Sequence, residues 1–279
     1  MTTLGELKQA MGKTPEGQDE AYSKILIDAI RVCREYKPRF GGQRKGGYTL
    51  EEFNALYGSD PFYSWMGLDS PLLYAAHKAA GGMTSIYRQI GIGCQQLFLQ
   101  ILIDCLGLTR EEATWSYEVQ RPDGTARTLS LDGRIPLDSV KDMIRRCSLR
   151  EWMSENGKRI EIEPKLLSIL RGMVFEVRQG YKSKDSKRQN ADLANAATAY
   201  TQSYLPVAVI LSNQIDADIA ARYEEQKWVI LRGSVDGSPL LSTYTFCRDV
   251  LGYDLASFFS RNSRKFKTEV ETVLKVLLT

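Results

Sequence analysis

Gly172-Met173-Val174-Phe175-Glu176-Val177-Arg178 is an apolar, aromatic and β-branched run interrupted by one carboxylate. Runs of this length and composition read as buried strands. Alternation along a strand sends Val174, Glu176 and Arg178 to one face and Met173, Phe175 and Val177 to the other. Burying a carboxylate costs roughly several kcal/mol unless something compensates its charge. A bound metal ion is one compensation, and an ion pair with Arg178 or Lys182 is another.

The neighbouring segments turn this strand into a sheet. Downstream, the spacing predicts a helix over about 186–202, a strand over 205–211, a helix over 215–225 and a strand over 228–231. Strand, helix, strand, helix, strand in that order implies parallel neighbours covered by helices. Upstream, 116–120 and 126–131 flank Arg121-Pro122-Asp123-Gly124-Thr125 and read as a β-hairpin. Helices are expected over 138–146 and 164–170. The stretch 90–104 is apolar nearly all round, the pattern of a central buried helix. The fold class expected is therefore α/β, a central mixed β-sheet flanked by helices, with a helical N-terminal region over 1–84 and the core with C-terminal helices over 85–279.

The N-terminal part carries helix signals only. Apolar residues recur at three and four over 19–36, and Lys37-Pro38 ends that helix. Thr49-Leu50-Glu51-Glu52 has the spacing of a capping box. Residues 60–66, rich in aromatics, read as a turn, and Gly81-Gly82 as a break in a helix that begins near 71. The glycines of 41–47 read as a linker loop.

Composition narrows the chemistry. The 279 residues include five cysteines with no C-x-x-C spacing, one histidine and a net charge of +3. Thiol-based zinc sites, imidazole-based metal sites and a Ser-His-Asp hydrolase are disfavoured. His77, inside a helix-like stretch, is expected to be structural. Oxygen ligands and Mg²⁺ suit the remaining residues better. No run of 18 apolar residues and no leader pattern is found, so the cytoplasm is the expected location. Basic residues gather at 37–45, 141–146, 182–188 and 261–267, and such clusters neutralise phosphates when folding assembles them.

The strand runs into Gln179-Gly180-Tyr181-Lys182-Ser183-Lys184-Asp185-Ser186-Lys187-Arg188-Gln189-Asn190. Phosphodiester hydrolysis needs an oriented water and positive charge at the transition state. Glu176 with Lys182 or Lys184 supplies both components. Lys187, Arg188, Gln189 and Asn190 fall on a helix start, where such side chains bond to phosphates and to base edges.

Glu176-x-Arg178 followed by this basic helix start resembles the active-site strand and recognition helix of type II restriction endonucleases of the PD-(D/E)XK superfamily. The order of buried helix, hairpin, strand, helix and strand over about 85–235 is similar to that family's core. The resemblance implies a restriction-endonuclease-like fold and a Mg²⁺-dependent, site-specific endonuclease acting on double-stranded DNA as a homodimer. It implies Asp138 and Glu176 as metal ligands, with Asp132 second to Asp138. It assigns the catalytic lysine to Lys182 or Lys184, and DNA contacts to Arg178, Lys187, Arg188, Gln189 and Asn190. Two positions depart from the pattern. Arg178 stands where the family has lysine, and Gln95 or Gln96 stands where its buried helix often carries glutamate. A non-catalytic, sequence-specific DNA-binding protein is the competing expectation.

Overall fold

The computed structural model describes residues 15–40, 46–120, 124–180 and 195–278. These form a mixed α/β protein in which helix predominates. Two compact units emerge, one made of residues 1–93 with 261–279 and the other of residues 94–260. The sequence-based division lay at 84/85 and kept 261–279 with the core.

The second unit holds the sheet. β3 (Gly133–Pro136), β4 (Gly172–Arg178), β5 (Tyr204–Ile210) and β6 (Val229–Leu231) lie side by side in that order. β3 runs antiparallel to β4, with Gly133 opposite Phe175 and Pro136 opposite Gly172. β4, β5 and β6 are parallel, with Glu176 opposite Ala208. The mixed sheet expected from the sequence is present. β1 (Trp115–Gln120) and β2 (Ala126–Leu131) form the expected hairpin as a separate antiparallel pair.

Alternation on β4 is as expected, and both of its faces are covered. Val174 belongs to a cluster with Ala208, Ile210, Ile219 and Ala199, so helices 195–201 and Ala217–Glu225 cover that face. The hairpin joins the same cluster through Trp115 and Leu131. On the other face Phe175 meets Phe98 and Phe246, with ring centroids 5.2 and 6.2 Å away. Parallel strands covered on both sides must be apolar on both sides, which is why β4 and β5 read as near-continuous apolar runs.

The first unit is helical. Helix Pro15–Arg31 passes into a 3₁₀ turn over Val32–Glu35. The capping box at Thr49 is formed: its hydroxyl accepts from Glu52 N–H, and the Glu52 carboxylate accepts from Thr49 N–H. Residues 61–65 depart from the expected turn. Asp60 accepts hydrogen bonds from Phe62 and Tyr63 N–H and starts a short helix there.

Gly81-Gly82 does not break the helix, which runs unbroken from Pro71 to Leu106. Both glycines make room for neighbours. A Cβ on Gly81 would overlap the Tyr36 hydroxyl, and one on Gly82 would lie 2.7 Å from Leu277. By length and composition this helix is apolar enough to cross a membrane, and half of its most apolar window is buried inside the protein. His77 meets Phe40 edge-on at 4.9 Å, a packing role.

Candidate functional site

Glu176 sits near the carboxyl end of β4 and is 5% exposed. The strand places it on the face of Val174, and Arg178, two residues on, reaches back to form an ion pair with its Oε1. The Arg178 side chain is itself mostly buried. One of the two compensations open from the sequence is thus in place. A buried carboxylate on a central strand is held beside a guanidinium.

Asp132, at the entrance to β3, comes to the same place. Its backbone N–H donates to Phe175 O at 2.8 Å. Its Oδ2 accepts from Val177 N–H at 2.8 Å. The backbone and the side chain of one residue therefore grip the two residues that flank Glu176. From the Pro71–Leu106 helix, Gln95 Nε2 donates to the same Asp132 oxygen at 3.1 Å and reaches Val177 O at 3.5 Å. Three elements thus meet around Glu176: the buried helix, the start of β3 and the end of β4.

Asp138, the first choice for the upstream ligand, is not brought there. It lies exposed on a 3₁₀ turn over Leu137–Ser139, and Leu137 N–H donates to Arg171 O. That contact sets it at the amino end of β4, five residue steps from Glu176, or roughly 16 Å of strand. The physical reason is direction. β3 runs antiparallel to β4, so residues after β3 move away from Glu176 and only the residue before it approaches. The sequence offers alternation in Gly133-Arg134-Ile135-Pro136, but four residues ending in proline are a weak strand signal.

Lys182, Lys184, Lys187, Arg188, Gln189 and Asn190 lie outside the described residues, as do Pro122 and Asp123. Beyond the strand, Leu211 N–H donates to Arg178 O at 3.0 Å, and the backbone at Gly180 runs beside Ser212 and Gln214. Where the chain is again described, Tyr117 of the hairpin donates its hydroxyl to Asn195 Oδ1 at 2.5 Å.

The donor set suits a hard divalent cation. Mg²⁺ is held by one or two carboxylates, with water and substrate oxygens completing its shell. Asp132 and Glu176 would be the carboxylates to hold such an ion, in competition with the hydrogen bonds that Asp132 accepts and with the Arg178 pair of Glu176. Among the described residues no group of three or more His, Cys, Asp or Glu is placed to hold a metal ion. Thiol chemistry has no support beside the site. Burial pushes the neighbouring Cys94 thiol up to about 12 and Cys105 up to about 11, far from the thiolate range. Comparison with protein-family models, curated proteins and solved structures gives no match.

Proposed function

We propose that the chain is a Mg²⁺-dependent endonuclease of double-stranded DNA, a type II restriction enzyme of the PD-(D/E)XK kind that works as a homodimer in the cytoplasm. The observation that carries this reading is the convergence of Asp132 and Gln95 on the backbone either side of Glu176. Two strands and a buried helix thereby fix the backbone that carries Glu176.

In this reading Asp132 and Glu176 hold the ion, and Asp132 takes the role that the family resemblance implies first for Asp138. A bound Mg²⁺ supplies Lewis acidity to the phosphoryl oxygens and lowers the pKa of a coordinated water. Gln95 orients Asp132 by donating to its Oδ2. Arg178 neutralises Glu176 before substrate arrives, and its planar guanidinium is suited to a phosphate once that pair opens. It cannot carry a proton at neutral pH, so the water-orienting group is sought in Lys182 or Lys184. Lys187, Arg188, Gln189 and Asn190 are the candidates for base and phosphate contacts.

Incubating phage or plasmid DNA with the protein, with and without Mg²⁺, tests the reading directly. Discrete fragments are expected with Mg²⁺ and none in EDTA. Glu176→Ala and Asp132→Asn should each lower cleavage by about a thousandfold or more, with duplex binding within a few-fold of wild type. Asp138→Ala should cut normally. Full cleavage by the Glu176 and Asp132 variants would overturn the assignment.

The Glu176–Arg178 ion pair favours a second reading, in which the carboxylate is already satisfied and the protein binds DNA without cutting it. That protein would bind equally well in EDTA and would never nick plasmid.

A further inference from the structure

The first unit contains a cavity of about 600 Å³ between the segment that follows helix Pro15–Arg31 and the Gly81–Gln89 stretch of the long helix. That is the size of small-ligand sites. Tyr36 packs its hydroxyl where Gly81 lacks a side chain, which fixes one part of the wall.

The lining is cationic. Lys37 and Arg39 contribute from one side and Arg88 from the other, against a single carboxylate, Glu35. None of the three cations forms an ion pair among the described residues. Like charges gathered around one concavity repel one another, so the arrangement favours an anion between them.

A second observation is independent of charge. Gln89 is 8% exposed, lines the same cavity, and has no side-chain hydrogen bond among the described residues. Its amide atoms are not sealed inside the protein, so they open onto the cavity, where a ligand can take hydrogen bonds that the protein does not supply. Gln89 offers two donors and an acceptor, and Ser85 adds a hydroxyl to the same lining. A bare anion would use the cations and leave the Gln89 carbonyl and Glu35 opposed to it. A phosphate attached to a sugar or base would use all of them, because its hydroxyl and amino groups can donate to those acceptors.

We propose that this cavity binds the phosphate ester of a nucleotide, either free or within a nucleic-acid strand. Arg39 and Arg88 hold the phosphate through their planar forks, Lys37 adds charge, and Gln89 bonds to the attached sugar or base. The site is distinct from the Glu176 cluster, and its occupancy does not depend on cleavage.

Binding measured in EDTA tests it, so failure of the nuclease reading leaves the outcome readable. One arm follows the anisotropy of a labelled DNA duplex across a salt series. The other follows the thermal shift produced by deoxyadenosine 5′-monophosphate, with inorganic phosphate for comparison. Arg88→Ala and the double variant Lys37→Ala/Arg39→Ala should each weaken binding about tenfold or more. If the ligand is a strand, the slope of log affinity against log salt should also fall by about one per charge removed. Gln89→Met should weaken binding several-fold while melting unchanged or higher, since it removes an amide without a partner. That combination separates a ligand contact from a structural one. Loss in the duplex arm identifies the strand as ligand, and loss in the mononucleotide arm alone identifies the free nucleotide. Wild-type behaviour of all three variants in both arms overturns the proposal.

Discussion

Among the described residues two glutamates are buried to nearly the same degree, Glu269 in the helical unit and Glu176 in the sheet, and their surroundings differ in kind. Glu269 receives Arg31 Nε at 3.1 Å on one oxygen and Arg34 NH2 at 2.5 Å on the other. Those arginines lie more than 230 residues away in sequence, so the carboxylate fastens helix Leu255–Leu278 to the chain around Arg31 and Arg34. Glu176 is paired with a residue two positions along its own strand. A pair between i and i+2 joins residues that the strand already holds side by side, so it adds little tertiary constraint for the desolvation it requires. Burial of a charge teaches little by itself. What the charge is tied to decides whether it clamps distant segments together.

Substitution can break that contrast. The largest effect on stability is expected from Glu269→Ala, which leaves two arginines without their shared partner. We expect a loss of about 2 kcal/mol, below the range for fully buried pairs because Arg31 and Arg34 are half exposed. Urea unfolding measures it, and an unchanged midpoint would remove the clamp from the comparison. Replacing both partners of the buried pair, Glu176→Gln with Arg178→Met, should alter stability by no more than about 1 kcal/mol in either direction, because no charge is left buried without its partner. A loss as large as that of Glu269→Ala would make the pair structural. The smallest effect is expected from Arg31→Ala, under about 1 kcal/mol, since Arg34 keeps its contact with Glu269 and exposed ion pairs contribute little. Equal losses from Arg31→Ala and Glu269→Ala would mean that Arg31 alone makes the clamp.

The parts of this architecture set by local physics were legible from the residues. The Thr49 capping box, the hairpin around residues 121–125 and the two-faced burial of β4 each depend on neighbours within a few positions. The misreadings come from long range. Gly81-Gly82 looks like a break because nothing in its vicinity announces that Tyr36 and Leu277 will need the space. β3 is short and its pairing partner lies some 40 residues on, so no local pattern fixes its direction. Whether Asp132 or Asp138 lies by Glu176 is equally hidden, because it depends on which way the chain passes that residue. Nothing near Gln95 in sequence announces its partner, and only the folded chain aims its amide at Asp132.

Asp132 has a further consequence for how the sheet assembles. Its carboxylate occupies a hydrogen-bonding place on β4 that the backbone of another strand would otherwise fill, so β3 begins with a side-chain latch. If β3 slipped by one residue, that oxygen would no longer meet the Val177 amide, and the side chains of β3 would exchange faces. The latch thus acts as a proofreading contact for strand alignment, closing only when the chain entering β3 stands beside Glu176. Correct alignment of this edge and the seating of Asp132 against the backbone of β4 are one event.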